Sequence, residues 1–308
     1  MKLNKILPLI GVIIFVYLIY RIGFNEIISA FAIQNIVPFI AALIVMVFIF
    51  LVQTLKWQSI LKLQGYKIPF FKLFKIHLIS YFYGLITPAK AGTLIRINYI
   101  KKITKDSLAK SSSNTIIDKI LDFSVVLTLG FLGVLFFIQS FVDFIWLFVV
   151  LLVIFIAASL ILLKKERTEQ ILRFFYRFLL PKKYKAKAKH YFYDFYSNFP
   201  KRRKLIIPLI LTAITWILIY SLSYFLGLSI GIDLPYHYFI LLFPITTILA
   251  MIPISPSGLG IREVTLIGLF GQYGIASELL IALSILTYIT NGVIPAFFGW
   301  IFSMQKKV

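Results

Sequence analysis

Cysteine is absent from this 308-residue chain, histidine occurs three times and acidic residues only eleven times. The missing cysteine excludes disulfides, thiolate metal sites and thiol nucleophiles. His77, His190 and His237 are too scattered for a metal site, so no metal or other cofactor is expected, and each reads as an interfacial or packing histidine. A nucleotide loop is lacking as well, because "SPSGLG" (255–260) follows no strand and no phosphate-binding lysine comes after it. Ser111, Ser112 and Ser113 read as a helix start. With no catalytic constellation in sight, the chain is not expected to be an enzyme, and no catalytic residue is assigned.

Apolar residues fill the space that these absences leave. They make up 60% of the chain against 14% charged, and the mean hydropathy is +0.95. "PFIAALIVMVFIFLV" (38–52) and "FIWLFVVLLVIFIAASLILL" (144–163) carry no charge over lengths that approach or match a bilayer crossing. A soluble helix would show a polar face. Lys2 and Lys5 ahead of the run from Ile6 to Tyr20, with "AFA" at 30–32, imitate a signal peptide. The imitation site lies beyond Arg21 and Glu26, which favours an uncleaved first helix.

The net charge of +21 follows the loops, as the positive-inside rule expects, with some attraction to anionic lipid. Hydropathy predicts spans at about 3–20, 36–55, 115–137, 142–163, 205–229 and 279–303. Lys56, Lys62, Lys67, Lys72 and Lys75 place 56–75 on the cytoplasmic side, as "KRRK" (201–204) does for 164–204. Loops near Glu26, Asp143 and Asp233 read as external, and both termini as cytoplasmic. Within 164–204, Ile171, Leu172, Phe175, Phe178 and Leu179 form an apolar face opposite Arg173 and Arg177, so the segment reads as an interfacial helix on the inner leaflet.

Two regions are apolar but broken. Residues 77–100 lie between two cytoplasmic positions, and two crossings would need roughly 40 residues. This region therefore predicts a re-entrant hairpin whose tip is "TPAKAG" (87–92), where Pro88 lacks a donor and Gly92 permits the reversal. Residues 237–275, with Pro253, Pro256, Gly258 and Gly260, read either as a hairpin from the other side or as two spans. The glycines Gly268, Gly271 and Gly274 read as sites of close helix packing. The fold class is an all-α integral membrane protein with about six full transmembrane helices plus two re-entrant broken hairpins. Eight spans plus one hairpin is the alternative. Residues 1–308 form a single membrane domain with repeat-like units 36–137 and 205–303. Both tips show Pro, Gly and Arg in order (Pro88, Gly92, Arg96; Pro256, Gly260, Arg262), the pattern of an inverted repeat with a site between the units.

Few acids can lie at membrane depth, where a charge costs about 2.5–3.5 kcal/mol on insertion scales. Asp118 and Asp122 share a helix face one turn apart. Two readings stay open. In one, Arg96 pairs with Asp118 or Asp122 and pins the hairpin. In the other, Lys90, Arg96 and Arg262 line a wet groove that accepts an anionic headgroup, with Asp118 and Glu263 balancing charge or contacting an amine.

"LITPAKAGTLIRINYIKK" (85–102), "SSSNTIIDKILDF" (111–123) and "MIPISPSGLGIREVTLIGLF" (251–270) together resemble the flippase-like transmembrane domain of lysylphosphatidylglycerol synthases. Lys119 replaces the arginine usual after Asp118. The resemblance covers nearly the whole chain. It implies a lipid flippase or translocator that moves a polar, anionic or aminoacylated phospholipid, or a polyprenyl-linked lipid, between leaflets of the plasma membrane. The soluble synthetase domain of the full-length proteins has no counterpart here, so lysyl transfer is not expected. The alternative is a non-catalytic membrane partner of a lipid-modifying enzyme or glycosyltransferase. Expected partners are membrane lipids with anionic headgroups and, in that alternative, such an enzyme. Self-association to a homo-oligomer stays open, and nucleic acid is not expected.

Overall fold

The computed structural model describes residues 3–137, 182–251 and 258–305, with scattered positions between 146 and 170. The expected span at 142–163, the apolar face at 171–179 and the prolines Pro253 and Pro256 fall largely or wholly outside the described residues. All described regular structure is helical.

The chain begins with α1 (Leu3–Ile22) and α2 (Phe24–Ala30), which meet at Gly23 with a bend of 87°. Two long apolar helices follow, α3 (Ile36–Leu63) and α6 (Leu108–Phe136). Between them lie α4 (Phe70–Leu85), a 3-10 turn (Pro88–Leu94) and α5 (Ile95–Thr104). A further helix, α7 (Lys182–Ser197), packs on α6. The second half repeats the plan. It has a long α8 (Ile206–Ser229), a pair α9 (Tyr236–Ala250) and α10 (Ile261–Phe270), and a last long helix made of α11 (Ser277–Tyr288), a π-turn (Ile289–Val293) and α12 (Ile294–Ser303). Among the described residues, four continuous helical stretches are long and apolar enough to cross a membrane: 36–63, 108–136, 203–229 and 277–303.

Both broken regions are helical hairpins with short arms. At 1.5 Å per residue, α4 and α5 measure about 24 and 15 Å, and α9 and α10 about 22 and 15 Å, against a hydrocarbon core of about 30 Å. In each pair the second arm packs back on the first. At the first tip, a Cβ on Gly92 would overlap the carbonyl oxygen of Tyr83. At the second, Gly258 takes a φ of +77°, and a Cβ there would come within 2.7 Å of Ala250. Gly258 lies four residues before Arg262, as Gly92 does before Arg96, and Gly260, at a φ of +83°, caps α10.

Packing between the halves is an exchange. The two leading long helices, α3 and α8, pack on each other more extensively than any other pair of described elements. The first arm of each hairpin packs on the final long helix of the other half: α4 on α12, and α9 on α6. Glycine makes both crossings close, because a Cβ on Gly299 would overlap the Leu78 carbonyl and one on Gly133 the Leu241 carbonyl. Among the described residues, Gly268, Gly271 and Gly274 do not have that role, since nothing lies within 4 Å of a Cβ built at any of them. The core sits where α3, α8, α9, α10 and α11 meet, around Ile49, Tyr220, Phe239, Phe270 and Leu283.

One local expectation changes. Helix α6 starts at Leu108, where the Ser107 hydroxyl accepts the Lys110 N–H at 3.2 Å. Ser111 and Ser113 are instead buried inside that helix, and Gln64 donates to Ser113 at 2.7 Å. The loops at the same end of the bundle are clasped by Asp106, which accepts from Tyr66 and, at 2.8 Å, from Lys110. Burial pushes the Asp106 carboxyl up, but the hydrogen bonds from Lys110 and Tyr66 win and hold it below the usual carboxylate range.

Candidate functional site

A cavity of about 700 Å³ opens between the two hairpins. Its wall includes Gln53 and Lys56 of α3, His77 and Ser80 of α4, Asp118, Lys119 and Asp122 of α6, and Trp216 and Tyr220 of α8. Arg96 reaches it just beyond the first tip and Arg262 just beyond the second.

Charge on the first side is densely paired. The α3 helix continues seven residues beyond Lys56, which buries this lysine to 2% exposure instead of leaving it in a loop. Lys56 Nζ lies 2.7 Å from Asp118 Oδ1 and 2.7 Å from Asp122 Oδ1. Arg96, on the first turn of α5, donates from Nη2 to Asp118 Oδ2 at 2.7 Å. Its guanidinium lies 5.2 Å from the ring of Trp57, itself anchored by donation from Nε1 to Asn114. Asp122 also accepts from Trp216 Nε1 at 3.3 Å. The one-turn spacing of Asp118 and Asp122 is what lets a single lysine bridge them.

The second side has a similar plan with different chemistry. Arg262 is 22 residues ahead of Ser284, as Arg96 is 22 ahead of Asp118, and it donates from Nε to the Ser284 hydroxyl at 2.6 Å. Glu263 supplies the charge that Ser284 lacks. Fully buried, it accepts from Ser284, from Arg262 Nη2 at 3.0 Å and from the Gly260 N–H, which caps α10. Arg262 lies 5.6 Å from the ring of Tyr288, just before the π-turn. π-turns inside helices often mark functional sites, and this one brings Asn291 to the cavity.

Of the residues expected at a headgroup site, Arg96, Arg262 and Asp118 all line this one cavity. Glu263 is behind it, holding Arg262 and the tip backbone. The side chain of Lys90 lies outside the described ones. Lys56, Trp57, His77, Ser284 and Asn291 were not legible as site residues. The available signal was a lysine followed by tryptophan at the end of an apolar helix, and it resembles ordinary loop charge. Among the described residues, several buried polar atoms of the lining have no hydrogen-bond partner, including Arg96 Nε, His77 Nδ1, Thr246 Oγ1, Thr287 Oγ1 and Asn291 Oδ1. Native proteins leave few such atoms unsatisfied, so this wall is suited to a polar guest. No group of three or more metal-ligating side chains occurs among the described residues.

Comparison with known proteins gives a consistent set. The family profile described as "Lysylphosphatidylglycerol synthase TM region" matches residues 6–299. A UPF0104 membrane protein of Methanocaldococcus jannaschii is 22% identical, over 97% of this chain and 93% of its own length. One from Pyrococcus horikoshii is 22% identical over 98% of this chain and 97% of its own length. A third, from Methanothermobacter thermautotrophicus, is 22% identical over 96% and 91%.

Proposed function

The chain belongs to the lysylphosphatidylglycerol synthase TM region family of membrane proteins, and we propose that it moves the polar headgroup of an anionic lipid between leaflets through the cavity between its hairpins. The observation that carries this reading is that Arg96 and Arg262, from opposite halves of the chain, line one cavity. In a bilayer such a cavity lets a headgroup leave water without entering hydrocarbon, while the acyl chains stay in lipid. The exchange of hairpins between halves supports reading 36–137 and 205–303 as an inverted repeat, with the site where secondary transporters place theirs. The lysine-rich end of the bundle is assigned to the cytoplasmic face of the plasma membrane, together with both termini.

Reconstitution tests this directly. Vesicles containing the purified protein and a trace of fluorescent phosphatidylglycerol should lose more fluorescence to an impermeant quencher than empty vesicles do. Equal loss with and without protein, for every anionic lipid tried, overturns the proposal. Stoichiometric capture of a glycosyltransferase or lipid-modifying enzyme in that case would favour a non-transporting partner subunit.

A further inference from the structure

Inside the cavity nearly every described cation is already committed. Lys56 is paired with both Asp118 and Asp122, Arg96 with Asp118, and Arg262 is held by Glu263. Their side chains are 3%, 5% and 16% exposed. If a ligand phosphate captured Arg96 or Lys56, it would strand a buried carboxylate, a cost that breaking a buried pair incurs and releasing an exposed one does not.

Lys119 is different. Its side chain is 59% exposed although it lines the cavity, and its Nζ is 3.8 Å from Asp122 Oδ2, too long for a hydrogen bond. The backbone is fixed, because α6 holds Asp118 in the buried network one residue earlier. The four-carbon stem is nonetheless free to swing, and its ammonium is a compact donor suited to a phosphate oxygen. Lys119 also sets the charge balance of the wall. Lys56, Arg96 and Arg262 are matched by Asp118, Asp122 and Glu263, which leaves Lys119 as the surplus cation of this described set.

We propose that Lys119 is the residue that meets the lipid phosphate, and that its single unmatched charge selects a headgroup with one net negative charge, a phosphodiester. This rests on the proposed function and assigns the contact within it. The neutral network of Lys56, Arg96, Asp118 and Asp122 then acts as scaffold. The unpartnered Arg96 Nε, Thr246 and Asn291 atoms remain for the uncharged polar part of the headgroup.

The test uses protein carrying Trp146→Phe and Trp300→Phe, so that fluorescence comes from Trp57, beneath Arg96, and Trp216, on the cavity wall. Titration in detergent with dihexanoyl phosphatidylglycerol should give saturable binding, and dihexanoyl phosphatidylcholine should bind more weakly. Lys119→Met should weaken phosphatidylglycerol binding about tenfold, while Lys119→Arg stays within about threefold of the parent. Both variants should keep the parent melting temperature, because the side chain is exposed and its one ionic contact among the described residues is long. Parent-like affinity of Lys119→Met for phosphatidylglycerol overturns the inference alone, as does equal affinity of the parent for the two lipids. Absence of binding to phosphatidylglycerol and to phosphatidic acid by the parent overturns both the inference and the proposed function.

Discussion

At the residue scale, the feature that needs a physical cause is a lysine and an arginine buried side by side. Lys56 and Arg96 are 2% and 4% exposed, and a charge buried there is costly unless it is paired and hydrogen-bonded. Asp118 stabilises both, touching Lys56 with one carboxylate oxygen and Arg96 with the other at 2.7 Å. Trp57 adds a flat face against which a guanidinium stacks and an ammonium does not. Arg96→Gln should therefore destabilise the protein by about 3–5 kcal/mol, the range for breaking a buried pair. Arg96→Lys should recover only part of this. Melting in detergent checks both variants, and a melting temperature for Arg96→Gln equal to wild type would remove the network from the account of stability. That Arg96 pairs with an acid on the next helix was one of two readings open from sequence. Lys56, the residue that joins Asp118 to Asp122, was not anticipated, because at the end of an apolar run a lysine marks a loop far more often than a core.

At the element scale, the hairpins follow from length and local chemistry. A helix of 10 residues, such as α5 or α10, reaches about half-way across a bilayer, and the breaks before them fall where the sequence places proline and glycine. These features were legible because they are local. The close-packing glycines were not. Gly268, Gly271 and Gly274 form a conspicuous series and face open space among the described residues, whereas Gly133 and Gly299 bear the contacts between halves. Spacing shows which glycines share a face, but only the fold decides whether a neighbouring backbone lies against that face. Gly133→Ala and Gly299→Ala should each cost about 1–3 kcal/mol, since the carbonyls of Leu241 and Leu78 must give way. Gly268→Ala, in the open, should be neutral or stabilising by up to about 1 kcal/mol. Unfolding midpoints of the three variants measure the contrast, and a loss at Gly268 that matches the other two would contradict the packing described.

At the scale of the whole molecule, the exchange of hairpins defines the cavity. Because α4 leans on α12 and α9 on α6, neither half can enclose the site by itself. Gly92, Arg96, Asp118 and Gly133 are spaced along the first half just as Gly258, Arg262, Ser284 and Gly299 are along the second. The correspondence includes one chemical difference, a carboxylate in one half where the other has a hydroxyl, and Glu263 compensates for it. Such a cavity should be wet. The cysteine-free chain permits a clean measurement, with cysteines placed at Ser80 and Thr247, on the lining from opposite halves, and at Val126 in the core. A water-soluble thiol reagent should modify the first two and spare the third in folded protein. If Ser80→Cys and Thr247→Cys resist the reagent as Val126→Cys does, the interior is dry and a headgroup path through it is excluded.

The sequence by itself determined that this is a helical membrane protein, where its helices break, and which arginines follow the breaks. Hydropathy, proline and glycine act over a few residues, and a bilayer turns them into strict rules about length and backbone pairing. Only the tertiary structure decided that Lys56 bonds to Asp122, 66 residues away, that Ser284 stands where the first half has Asp118, and that both arginines face one space. Those relations depend on which helix surfaces meet. Packing between distant segments sets that, and no local pattern encodes it.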